Sequence, residues 1–94
     1  MVIGIDIDGV LTIETAGHNY VSRTPNKKMI YKVDQWYKEN HIIVIFSSRW
    51  EADRSVTKKW LKDNNVKYHT LILGKPVFDL YIDDISKRPG EVCK

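Results

Sequence analysis

Two β-branched apolar runs, Val2 to Ile7 and Ile42 to Phe46, bracket a segment in which Met29, Ile30, Val33, Trp36 and Tyr37 recur at helical spacing. A strand apolar on both faces, an amphipathic helix and a second such strand make a βαβ unit, with parallel strands and a right-handed crossover. The first run reads as a buried, central strand of a parallel sheet. Thr24-Pro25 supplies an N-cap and a proline for the first helical position, so the helix is expected from there to about Asn40. The aromatic stripe lies on that helix's buried face and reads as core.

The rest of the chain repeats the alternation. A second helix is expected over about Glu51 to Asn64, with Ala52, Val56, Trp60 and Leu61 inward and Asn64-Asn65 as its stop. Val66 to Leu73 reads as a third strand. Gly74-Lys75-Pro76 breaks the chain, Phe78 to Ile82 reads as a short fourth strand ending in Asp83-Asp84, and Ser86 to Lys94 reads as a tail. The expected fold is α/β: one domain over residues 1–94, a minimal Rossmann-like three-layer sandwich. Its mostly parallel sheet is expected to have about four strands in the order 3-2-1-4.

Composition bounds the function classes. With 94 residues there is room for one sheet and its helices, and 43% hydrophobic with 29% charged residues excludes a disordered chain. The net charge of +3 comes from scattered lysines rather than a basic block, which favours anionic ligands mildly and makes nucleic acid a less favoured partner. One cysteine, Cys93, cannot form an internal disulfide, and near a frayed end it reads as inert. No signal peptide or membrane-length segment precedes the first strand, so a cytoplasmic location away from membranes is expected.

Chemistry collects at one edge. Ligands of open parallel sheets bind outside the carboxyl ends of the strands, where loops and helix N-termini converge. Asp6, Asp8, Ser47, Ser48, Arg49, Lys75, Asp83 and Asp84 all fall at or just after that edge. Acids also end strands and cap turns, but convergence from four segments points beyond that. Several carboxylates around one crevice raise one another's pKa unless a cation is present, and hard oxygen donors point to Mg²⁺. His18, His41 and His69 lack ligand spacing, which speaks against zinc. Lys75 and strand-end hydroxyls suit a phosphoryl group, toward which an aspartate is a competent nucleophile. Arg49 reads either as a substrate contact or as a surface ion pair with Glu51 or Asp53.

These residues resemble a known family. Asp6-Ile7-Asp8-Gly9-Val10-Leu11 is similar to the first motif of the haloacid dehalogenase-like phosphohydrolases, Ser47 after its strand to the second, Lys75 to the third and Asp83-Asp84 to the fourth. Ser47-Ser48-Arg49, Gly74-Lys75-Pro76 and Tyr81-Ile82-Asp83-Asp84 further resemble a small capless subgroup, the capsule- or polysaccharide-biosynthesis phosphatases. The resemblance implies that Asp6 attacks phosphate, and that Asp8 protonates the leaving oxygen and then activates water. It implies Mg²⁺ held by Asp6, the Asp8 carbonyl and Asp83, with Asp84 as an outer or alternate ligand. Ser47, Ser48, Arg49 and Lys75 would meet the phosphate.

No cap domain is encoded, so the open site is expected to take a bulky phosphorylated small molecule or glycan, or to be covered in a homo-oligomer. Thr12 to Arg23 is the one local candidate for a lid, with Gly17 as hinge; a plain surface loop fits it as well. The expected function is a Mg²⁺-dependent phosphomonoester hydrolase acting through an aspartyl-phosphate, on a phosphosugar of surface-polysaccharide metabolism. The alternatives are a nucleotide or polynucleotide-end phosphatase and a non-catalytic phosphate-binding or regulatory module.

Overall fold

The computed structural model describes residues 1–17 and 19–93. β1 (Val2–Ile5), β2 (Ile42–Phe46) and β3 (Thr70–Ile72) form a three-stranded sheet in the order β1-β2-β3. Both pairings are parallel, with Ile3 level with Ile43, and Ile5, Ile45 and Leu71 in one row. The helices are α1 (Lys27–Lys38), α2 (Arg54–Asp63, after a 3₁₀ turn over Glu51–Asp53) and α3 (Pro89–Val92). No helix among the described residues is long and apolar enough to cross a membrane.

The helices start and stop where local bonding allows. Thr24 does not cap α1, because its N–H and hydroxyl both donate to the Glu14 carboxylate, at 2.8 and 2.7 Å. Pro25 instead joins a bridge to Thr12, and Asn26 becomes the N-cap, accepting from the Met29 N–H. Asn40, at φ 69°, and Asn65, at φ 56°, follow the ends of α1 and α2 in the left-handed region. Ala52 is exposed in the 3₁₀ turn, and Thr57 is buried in its stead.

The sheet has one covered face. Ile5, Ile43, Ile45 and Leu71 are buried, and together with Met29, Val33, Trp60 and Leu61 they make the core. Burying each of these large side chains contributes roughly 1.5–3 kcal/mol. Their strand neighbours point the other way and stay open: Val2 is 72% exposed and Ile42 46%. Phe46 and Ile72 are exposed on the same side. The expected three-layer sandwich is therefore two-layered. Right-handed crossovers from β1 to β2 and from β2 to β3 step in one direction, so both helices fall on one face.

The expected fourth strand is absent among the described residues, and β1 is left as an edge. Lys75 stands at the carboxyl end of the sheet, its N–H donating to the Ser47 carbonyl at 2.9 Å. A parallel neighbour of β1 would start at the opposite end, and parallel strands need a connection of roughly a dozen residues. Only Pro76 and Val77 stand between Lys75 and Phe78. The segment from Val77 to Ile85 instead lies exposed, with Leu80 at 75% and Ile82 at 86%. The chain then returns to the core, where Val92 and Cys93 pack beside Met29. The expected frayed tail is thus docked at Val92 and Cys93, while Lys94 lies outside the described residues.

Candidate active site

The carboxyl end of β1 becomes a tight turn rather than continuing as strand. The Ile7 carbonyl accepts from the N–H groups of Val10, Leu11 and Thr12, with Ile7 and Leu11 fully buried beneath. Gly9 sits at φ 78°, the left-handed region that favours glycine, and a Cβ there would lie 2.8 Å from the Thr15 methyl. This turn holds Asp6 and Asp8 above the sheet, half-buried.

Asp6 is met from the far end of the chain. Lys75 Nζ lies 3.0 Å from its Oδ2, while Oδ1 accepts from the Ile7 N–H at 2.7 Å. Gly74, at φ 80°, turns the chain out of the third strand and donates to the Arg49 carbonyl, which delivers Lys75 to this spot.

Asp8 is gripped by two guanidiniums. Arg49 donates from Nε and Nη2 to both carboxylate oxygens, at 2.9 and 2.7 Å, a bidentate fork. Its Nη1 donates to the Thr57 hydroxyl at 3.0 Å, and its guanidinium lies 3.8 Å from the Tyr20 ring centroid. Arg49 is buried, so it is no surface pair; Glu51 bonds Arg54 instead. Arg23 lies on the other side, with Nε 3.6 Å from Asp8 Oδ1. That buried Nε has no hydrogen-bond partner among the described residues.

Arg23 and Tyr20 carried no sequence signal, lying in a polar stretch without periodicity. Arg23 also donates to the carbonyls of Ala16 and Gly17, at 2.7 and 2.6 Å, and the Trp60 indole donates to the Arg23 carbonyl at 3.0 Å. The Thr12–Arg23 stretch is thereby fastened as one wall of a cleft of about 360 Å³, which Asp6, Asp8, Ser48 and Arg49 also line. Within the stretch, His18 lies outside the described residues. Ser47 is buried behind the cleft, its Oγ accepting from the Arg49 N–H at 3.1 Å.

Six of the eight expected residues therefore meet at the carboxyl edge. Asp83 and Asp84 do not join them. They lie in the exposed segment, where Asp83 is tied locally: the Tyr81 hydroxyl donates to it at 2.8 Å, and Ser86 and the Ile85 N–H also bond it. The Tyr81 bond first, then the Asp84 side chain and the Ile85 N–H, lowers the Asp83 carboxyl to about 2.

The donor set of one chain does not fit a divalent ion. No three His, Cys, Asp or Glu side chains among the described residues cluster as a metal site. The oxygens of Asp6 and Asp8 are already occupied by Lys75, Arg49 and the Ile7 N–H. Three cations contact two carboxylates, which leaves a local surplus of positive charge suited to an anion.

No protein-family model matches this chain, and no curated protein matches its sequence. Among solved structures, the chain is similar to the crystal structure of an MCSG target from Vibrio cholerae, at 25% identity and a TM-score of 0.84, over 97% of this chain and 85% of that one. It is also similar to a chain of the Pnkp1/Rnl/Hen1 complex, at 19% identity and a TM-score of 0.70, over 89% of this chain and 31% of that one. At that identity the second likeness is one of fold alone.

Proposed function

We propose that this chain hydrolyses phosphomonoesters through an acyl phosphate formed on the Asp6 carboxylate. The observation that carries the reading is the meeting of Asp6 and Lys75 at 3.0 Å across 69 residues, beside the two guanidiniums on Asp8. A nucleophilic oxygen next to fixed cations matches phosphoryl transfer, in which positioning and charge stabilisation do most of the catalysis.

A phosphate dianion entering the cleft competes with Asp8 for the Arg49 fork and for the unpartnered Arg23 Nε. Asp6 then attacks phosphorus, the bond from phosphorus to the ester oxygen breaks, and the leaving oxygen takes a proton. Asp8, released by Arg49 and protonated from solvent as the substrate takes its place, is the group placed to supply that proton. In the second step Asp8 takes a proton from water, the water oxygen attacks phosphorus, and inorganic phosphate leaves with the Asp6 carboxylate restored. Lys75 offsets the charge between Asp6 and the phosphoryl oxygens.

The cleft is open and has no cap, which suits a bulky phosphorylated substrate; a phosphosugar of surface-polysaccharide metabolism is the class that the motif resemblance favours. The haloacid dehalogenase-like reading supplies the mechanism, and the net charge of +3 makes a polynucleotide end the comparison substrate. The test is phosphate release from an aryl phosphate, hexose phosphates and a 3′-phosphorylated oligonucleotide, with and without Mg²⁺. Turnover by wild type and none by Asp6→Asn is expected. A folded wild type inactive on every substrate would overturn the reading.

A further inference from the structure

Three features of this chain are unfinished. β1 is a sheet edge with a free row of backbone groups, the sheet face bearing Val2, Ile42 and Phe46 is open, and the segment from Val77 to Ile85 carries apolar side chains with no core to enter. Unpaired edges and contiguous exposed apolar surface mark interaction sites. We infer that the segment from Phe78 to Ile82 of a second copy of this chain pairs along β1 and delivers Asp83 and Asp84 to the site, so that two copies exchange arms.

The occupant follows from geometry. A strand parallel to β1 that sets Asp83 level with Asp6 sets Phe78 level with Met1, about 16 Å back along the sheet at roughly 3.3 Å per residue. Lys75 is fixed at the Asp6 end, and three residue steps reach at most about 11 Å. The chain's own arm cannot make that start. Run antiparallel from Lys75, it would carry Asp83 to the opposite end of the sheet. A second copy has neither constraint, because its arm enters from outside.

Charge points the same way. Asp6 and Asp8 face Arg23, Arg49 and Lys75, a surplus of one positive charge that one incoming carboxylate offsets. Leu80 and Ile82, level with Ile3 and Ile5, then point to the helix-covered side of the partner's sheet and leave water there, and the two-fold exchange closes on itself. The delivery of Asp83 and Asp84 to the site rests on the hydrolase reading; the pairing itself does not.

The experiment separates the two. In a Cys93→Ser background, Val2→Cys and Asp79→Cys are made on separate chains, since the inferred register sets residue 79 level with residue 2. Both native side chains are exposed, so folding is preserved. A short bis-maleimide should join the mixed chains into dimers and leave either alone uncrosslinked between those positions, while wild type sediments as a dimer. A monomeric wild type, or an internal crosslink in a chain carrying both cysteines, overturns the inference. Coexpressed Asp6→Asn and Asp83→Asn chains should then regain about a quarter of wild-type activity, from the one intact site in each mixed dimer. Dimer crosslinks with an inactive wild type would sink the hydrolase reading and leave the exchange standing; active wild type with no regain would overturn the delivery of Asp83 in trans.

Discussion

Replacing Arg49 by alanine tests whether the fork on Asp8 is a structural keystone as well as a substrate contact. The Arg49 side chain is 1% exposed and that of Asp8 19%, so the pair is largely withdrawn from water. Removing one partner of a buried ion pair costs about 3–5 kcal/mol, because the other charge is left uncompensated. Arg23 Nε, 3.6 Å from the same carboxylate, offsets part of that loss. The hydrogen bond to Thr57 and the stacking on Tyr20 go with the same guanidinium and are part of that loss. The expected cost is about 3 kcal/mol, from a total of roughly 5–14 kcal/mol for a chain of this size. Urea unfolding followed by tryptophan fluorescence measures it, at one fixed protein concentration because association shifts apparent stability. Tm should fall by about 12–24 °C. Asp8→Ala completes a double-mutant cycle, in which the double variant should be about 2 kcal/mol more stable than additivity allows. A loss below about 1 kcal/mol, or additivity within about 0.5 kcal/mol, would refute the argument that these groups neutralise each other in the fold.

Three further outcomes are expected. Gly9→Ala should lose about 1–3 kcal/mol in the same assay from its positive φ and the 2.8 Å approach to Thr15, with Thr15→Ser, which lacks that methyl, restoring part of it. Trp60→Phe removes the indole bond to the Arg23 carbonyl and should cost about 1–2 kcal/mol, with a loosened Thr12–Arg23 wall seen as faster amide exchange at Ile13. Glu14 is held below its ordinary value of 4.5, first by the Thr24 hydroxyl and then by the Thr24 N–H. A carboxylate lowered on folding contributes stability above its ordinary value and loses it as pH falls through the native one. Carboxyl NMR should therefore place the Glu14 midpoint below 4.5, and Glu14→Gln should flatten the acid dependence of the wall.

Much of the site was legible because residue type and strand position together specify it. Apolar runs located β1 and β2, and the polar residue following each fell at the ligand-bearing edge by topology alone. Arg23 was not legible. Its role depends on a polar loop returning to the carboxylate fifteen positions earlier, and nothing periodic marks such a return. Thr24 misled for a related reason: a good capping residue was spent on Glu14, and Asn26 took its place.

The fourth strand is the instructive case. Phe78 to Ile82 has the composition of a strand and ends in a carboxylate pair, as β1 does. Periodicity records what a segment prefers to be, while connection length decides where the same chain can put it. Here the preference survives and the connection forbids it, since Lys75 is held on Asp6 and the opposite end of the sheet is out of reach. A segment with the composition of a strand that its own sheet cannot accept, and a sheet edge that its own chain cannot fill, are what the inferred exchange between two copies would satisfy. The missing layer, the free edge and the displaced acids then have one cause: a crossover too short to close the fold within one chain.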